Sequence, residues 1–171
     1  MCYFQSYLSQ HLQNQIMDKK IIYIDMDGVL VDLVKSVEDT YPHLLEMGME
    51  IGDILDVHDQ PFYSSEPVKG AVDAFNQLCN DPRFDVYILS TAPWMNVQSL
   101  TAKRVWVEKH LGEAATKRLI LSHRKDLMIG DYLIDDRPNN GASEFKGEWI
   151  QFGSKQFESW KKVLNYLETN S

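Results

Sequence analysis

Apolar and polar positions along this chain follow two periods. Short β-branched runs recur: IIYID at 21–25, FDVYILS at 84–90, RLILS at 118–122, YLID at 132–135 and, less marked, EWIQF at 148–152. Unbroken apolar runs of this length are what strands buried on both faces of a parallel sheet look like. Between them the period lengthens to that of a helix. Ala71, Val72, Phe75, Leu78 and Cys79 share one face, with Pro67 suited to the first turn. Leu100, Val105, Trp106 and Leu111 mark a second helix over 97–111, stopped by Gly112. Phe157, Trp160, Val163, Leu164 and Leu167 form the stripe of a C-terminal helix. Strands alternating with helices predict an α/β fold: a Rossmann-like three-layer core around a mainly parallel sheet.

One stretch breaks the alternation. Residues 31–66 carry no strand pattern and read as one or two short helices interrupted by Pro42 and Gly48, then an irregular segment at Asp59-Gln60-Pro61. An insertion directly after the first strand is a candidate lid. The division expected is therefore an N-terminal extension (1–19), a core (20–32 and 67–171) and a small helical cap (33–66). The extension is rich in Gln and Ser. Either Met17 is the natural start or residues 1–16 form a loosely held extension, in which Tyr3, Tyr7, Leu8, Leu12 and Ile16 permit a short amphipathic helix.

Composition narrows the class. Of 171 residues, 44% are apolar, enough for a real core. Lys plus Arg number 17 against 25 Asp plus Glu, a net charge of −8 that argues against gripping a nucleic acid polymer but leaves room for a small phosphate ligand. Two cysteines make no disulfide framework, and the five histidines lack the spacing of a zinc site. With no apolar run long enough for a membrane span and no signal-peptide pattern at the start, the expectation is a cytoplasmic protein without a membrane partner.

In an open parallel sheet, ligands sit beyond the carboxyl ends of the strands. Those ends here present Asp25-Met26-Asp27-Gly28, Ser90-Thr91-Ala92, Ser122-His123-Arg124-Lys125 and Asp135-Asp136-Arg137. Four carboxylates crowded together repel, and a hard divalent cation relieves that repulsion. All-oxygen coordination completed by a phosphate suits Mg2+. A lysine and a hydroxyl suit the remaining phosphoryl oxygens. One carboxylate of the Asp25/Asp27 pair is placed to attack phosphorus and the other to serve as acid, then base. Gly28 predicts a turn that brings both into one pocket.

These residues resemble the haloacid-dehalogenase-like phosphatases: DMDGV (25–29) is similar to their first motif, Thr91 after YILS to the second, and the later lysine and Asp135-Asp136 to the third and fourth. More closely, DMDGVLVD, STAP, VWVEKHLG and LIDDRP resemble the 5′(3′)-deoxyribonucleotidases over most of residues 20–155, apart from the lid. The resemblance implies Asp25 as nucleophile forming an aspartyl-phosphate, and Asp27 as acid and base. It implies a Mg2+ held by Asp25, the Asp27 carbonyl and Asp136, with Asp135 orienting. Thr91 and Lys125 would bind the phosphoryl group, with Lys103 the second candidate for that lysine. The implied substrate is a deoxyribonucleoside monophosphate. Another small phosphomonoester such as a sugar phosphate, or a non-catalytic nucleotide-binding module, are the rival readings.

The pattern departs from the family around the substrate. The position after Asp32 is Leu33 rather than an aromatic, and the lid is short, leaving Phe62 and Tyr63 either to stack a base or to anchor the lid. Arg137 is a further candidate for substrate contact. Trp94 is either rim packing or ligand contact. Trp106 and Cys79 read as core, His123 as surface or phosphate neighbour, and Asp53, Asp56 and Asp59 as a solvated face.

Overall fold

The computed structural model describes residues 19–170; the expectations for Met17 and the residues before it fall outside them. Five strands form one parallel sheet: β1 (Lys20–Ile24), β2 (Phe84–Ser90), β3 (Leu119–Leu121), β4 (Tyr132–Asp135) and β5 (Glu148–Gln151), in the order β3-β2-β1-β4-β5. The chain builds outward from β1 through β2 to β3, then returns to the other side of β1 for β4 and β5. Strand order thus reverses between β1 and β4, and their carboxyl ends flank the crevice where such sheets bind ligands.

Register sets what meets there. Ile22, Tyr23 and Ile24 pair with Tyr132, Leu133 and Ile134. The next amide, Asp25 N–H, donates to the Ile134 carbonyl at 2.9 Å, which puts Asp25 beside Asp135.

Alternation along β1 separates two cores. Ile22 and Ile24, fully buried, face α5 (Ala71–Asn80), α6 (Gln98–Leu111) and α7 (Trp160–Asn170) through Phe75, Trp106 and Trp160. Tyr23 points the other way, into a smaller cluster with Leu89, Leu133, Ala142 and Phe145. That second face is closed by the loops holding Met128, Ala142 and Phe145 rather than by a long helix.

Pro67 does not open a helix. It makes an isolated antiparallel bridge with Val31, and α5 starts at Ala71 after Gly70, whose φ of +81° turns the chain into it. The C-terminal helix likewise starts at Trp160, with Phe157 packed in the core ahead of it.

The segment between β1 and α5 folds as four short helices rather than one or two: α1 (Leu33–Thr40), α2 (Pro42–Glu46), α3 (Ile51–Val57) and α4 (Gln60–Ser64). The stretch read as irregular is α4, with Pro61 in its first turn, where a missing N–H costs nothing. Asp32 caps α1, accepting from the Lys35 amide. Hydrogen bonds tie this layer to the core: Asn96 Nδ2 donates to the Leu55 carbonyl at 2.8 Å, Trp106 Nε1 to the Ser65 carbonyl at 2.8 Å, and the Asp32 amide to the Glu66 carbonyl at 3.0 Å. Asp53 is exposed, while Asp56 and Asp59 are half-buried.

Candidate active site

Beyond β1 the backbone closes a tight turn. The Leu30 and Val31 amides both donate to the Met26 carbonyl at 2.8 Å, and Gly28, at φ +77°, donates to the Val31 carbonyl. This turn swings Asp27 back toward the crevice instead of letting it alternate away from Asp25. Asp25 is only 5% exposed.

Lys125, buried at the start of a single 3₁₀ turn (Lys125–Leu127), bridges two carboxylates. Its Nζ lies 3.1 Å from Asp25 Oδ1 and 2.5 Å from Asp135 Oδ2. Asp135 Oδ1 accepts from the Arg137 amide at 3.0 Å, and the Lys125 amide donates to the Asn140 carbonyl at 2.7 Å, so the loop after β4 holds the lysine in place. Thr91, at the tip of β2, donates its hydroxyl to the Ser122 carbonyl at 2.9 Å.

Asp25, Asp135 and Asp136 each present an oxygen within 4.8 Å of the others. Asp136 Oδ1 is buried with no hydrogen-bond partner among the described residues, and its other oxygen reaches only Arg137 Nε at 3.6 Å. A buried carboxylate oxygen left unpaired costs free energy. A hard cation in the cradle of three carboxylates would satisfy it, so the donor set fits a divalent metal.

The electrostatics agree. Burial pushes the Asp25 carboxyl up to about 7, with the Lys125 ammonium opposing and the neighbouring carboxylates Asp135 and Asp27 adding to the rise. Asp136 is raised by burial too, against the pull of Arg137. For Lys125, burial alone would lower the pKa, but Asp25 and Asp135 outweigh it and the ammonium is held above its ordinary range. A site that is costly to charge without a cation, and already holds one ammonium, is set up for a metal and an anionic ligand.

The structure brings most of the expected residues to one small cleft. Asp25, Asp27, Thr91, Lys125, Asp135 and Arg137 line it, joined by Asn139 and Asn140. Lys103 is elsewhere. It is buried under the cleft, with Nζ 2.7 Å from both Asp27 oxygens. Leu33 and Phe62 are core residues, 4% and 3% exposed, and Tyr63 is packed half-buried against the same cluster; none of the three lines the cleft. Trp94 does not line the cleft; it is 82% exposed and edge-on to His123, whose Nε2 lies 3.0 Å from the Ala92 carbonyl.

Asn139 and Asn140 are site neighbours that the sequence reading passed over. Asn-Asn-Gly at 139–141 is a turn signal directly after Asp135-Asp136-Arg137, and Asn140 and Gly141 do adopt φ of +55° and +82°.

Comparison with known proteins follows the same lines. A family profile described as "5' nucleotidase, deoxy (Pyrimidine), cytosolic type C protein" matches residues 57–168. A protein of Vibrio phage KVP40, whose name assigns it to the 5'(3')-deoxyribonucleotidases, is 48% identical over 154 residues, 90% of this chain and 88% of that one. The cytosolic-type 5'(3')-deoxyribonucleotidase of Homo sapiens is 28% identical over 75% of this chain and 76% of its own. The mitochondrial one of Mus musculus is 33% identical over 75% and 69%. Among solved structures, the HAD-hydrolase YfnB from Bacillus subtilis, bound to magnesium, superposes with a TM-score of 0.55 at 10% identity, covering 88% of this chain and 99% of that one. A haloacid dehalogenase-like hydrolase from Streptococcus pneumoniae gives 0.55 at 13% identity, covering 87% and 98%. At such identities these structures speak for the fold alone. Among the described residues, no helix is long and apolar enough to cross a membrane.

Proposed function

The chain belongs to the 5'(3')-deoxyribonucleotidase family, and from that membership we propose that it hydrolyses deoxyribonucleoside monophosphates through an aspartyl-phosphate on Asp25. The observation carrying this reading is the convergence at one crevice of Asp25 and Asp27 from beyond β1, Thr91 from beyond β2 and Lys125 from beyond β3.

The residues divide the work as follows. Asp25 Oδ attacks phosphorus, and the bond to the nucleoside oxygen breaks. Asp27 gives that departing oxygen its proton, then takes one from the water that hydrolyses the aspartyl-phosphate. Lys125 sets positive charge against the phosphoryl oxygens while holding Asp25 in line from 3.1 Å. The Thr91 hydroxyl turns from the Ser122 carbonyl to donate to a phosphoryl oxygen. Asp25, Asp135, Asp136 and the Asp27 carbonyl would hold Mg2+, which when bound neutralises charge on the carboxylates and the phosphoryl group. Residues 33–66 act as the cap that encloses the nucleoside, and Arg137, exposed at the edge of the cleft it lines, meets the substrate at the mouth. Leu33 and Phe62 brace this cap, since their side chains are already spent on the core.

The test is a substrate panel with Mg2+. Deoxyribonucleoside monophosphates should turn over ahead of sugar phosphates, and Asp25→Asn should abolish turnover while leaving the melting curve nearly unchanged. Equal turnover of sugar phosphates would remove the nucleotide assignment, and binding without turnover by the parent chain would leave a nucleotide-binding module.

A further inference from the structure

Lys103 is the second buried ammonium near the crevice, yet it lies outside the cleft's walls. It is 1% exposed on the inner face of α6. Three groups surround its Nζ: both oxygens of Asp27 at 2.7 Å, Ser90 Oγ at 3.2 Å, and the ring of Phe62, whose centroid is 5.2 Å away. Each comes from a different part of the chain: the turn after β1, the end of β2, and α4.

We propose that Lys103 is a positioning residue for Asp27: it fixes the plane of that carboxylate toward the leaving oxygen, and it does so from a seat that Phe62 of the cap layer completes. This rests on the reading of Asp27 as acid and base given above.

A carboxylate at the end of a tight turn has a free terminal torsion, and only a partner holding both oxygens fixes its plane. Lys103 is that partner on the side away from the cleft. A buried ammonium needs its own surroundings satisfied. Ser90 Oγ accepts one N–H, and the face of Phe62 offers a region of negative potential to the charge. Phe62 sits in α4, so a displacement of that helix removes part of the lysine's seat and loosens Asp27 in turn. The acid is thus held best when the cap layer is in place, which links enclosure of the substrate to readiness of the group that protonates the leaving oxygen. Among the described residues, no other cation touches Asp27.

The experiment compares two esters. A deoxyribonucleoside monophosphate loses an alkoxide that must be protonated, whereas 4-nitrophenyl phosphate loses a stable phenolate that needs no proton. Lys103→Met should lower kcat/KM for the nucleotide at least ~100-fold and for the aryl ester less than ~5-fold, the former being the usual contribution of a placed acid. Lys103→Arg, which keeps a charged donor, should recover part of the nucleotide rate. Equal losses on both esters, with the inhibition constant for inorganic phosphate raised in step, would make Lys103 a phosphate contact and overturn the proposal. Should Lys103→Met fail to fold in a thermal melt, the same comparison on Phe62→Leu decides. That variant leaves the lysine but removes the aromatic face, and selective loss on the nucleotide supports the proposal while equal or no loss overturns it. Asp27→Asn separates the two levels of the argument. If it is not itself selective for the nucleotide, the acid assignment fails; if it is selective and the Lys103 and Phe62 variants are not, only the role given to Lys103 fails.

Discussion

Asp136 occupies the space that a side chain at position 28 would need. A Cβ built on Gly28 would stand 2.5 Å from Asp136 Oδ2, and Gly28 sits at φ +77°, where a side chain is strained as well. The turn that aims Asp27 and the carboxylate that completes the acidic cradle are therefore packed directly on one another. Gly28→Ala should destabilise the protein by about 1–2 kcal/mol from the left-handed backbone alone. Displacing Asp136 should also raise the Mg2+ concentration for half-maximal activity by about tenfold, the scale seen when groups supporting a metal site are disturbed. Titration of activity with Mg2+ alongside a denaturant melt reads both; an unchanged Mg2+ requirement would uncouple the turn from the cradle.

The raised carboxyls give the metal-free protein a pH dependence of definite sign. Burial holds Asp25 near 7 and Asp136 above the usual carboxylate range, so the folded chain keeps protons that the unfolded chain releases near pH 4. Stability from these groups is fully present below the unfolded value and falls as pH rises through about 4 to about 7. Asp81, lowered by its hydrogen bonds from Arg83, acts in the opposite sense below the ordinary carboxylate range, and His110, lowered by burial, opposes the two carboxyls as pH rises toward its ordinary value. Melting temperature in chelator should drop across that rise in pH. The increment from added Mg2+ should grow across it, since the cation competes with protons for the same oxygens. A Mg2+ increment independent of pH would contradict the assignment of those oxygens to the metal.

The link between cap layer and core rests heavily on Trp106. Its indole is 1% exposed, donates to the Ser65 carbonyl at 2.8 Å and stacks on His110 with 4.6 Å between ring centroids. Trp106→Phe keeps most of the ring but leaves that carbonyl without its donor, at a cost of about 1–2 kcal/mol. Trp106→Ala should cost about 3–5 kcal/mol. Denaturant unfolding checks both, and limited proteolysis within residues 33–66 should quicken in step. Loss of stability with no change in proteolysis would place the damage in the core alone.

How far the sequence carried these features depended on which physical signal each one leaves. Strand tips were legible because a buried parallel strand is an unbroken apolar run, and Asp25, Thr91, Lys125 and Asp135 stand where such runs end. The reversal of strand order then brings those ends to one crevice. Lys103 was not legible in the same way. Its role depends on which face of α6 turns inward, and that helix has apolar residues on both sides, with Leu100 and Val105 left exposed. The roles of Phe62 and Tyr63 stayed open on the sequence for a related reason: an apolar side chain in a short lid can stack on a ligand or pack inward, and Leu33 and Phe62 pack into the main core. Pro67 carried the right chemistry for a helix start, yet it sits opposite Val31 in a bridge whose bonds run from Asp32 N–H to the Glu66 carbonyl and from Val68 N–H to the Leu30 carbonyl. Its missing N–H costs nothing there, while Gly70 made the turn into α5.

The central claim is that Asp25 carries the phosphoryl group during turnover. Asp27→Asn, mixed with 4-nitrophenyl phosphate and Mg2+ and quenched in acid within the first turnover, slows release of the phosphoryl group without blocking its capture. Peptide mass mapping should find one phosphoryl group on the Asp25-containing peptide, removed by hydroxylamine and absent when Asp25→Asn is added. Turnover with no labelled protein, or a label on any other residue, would contradict the account.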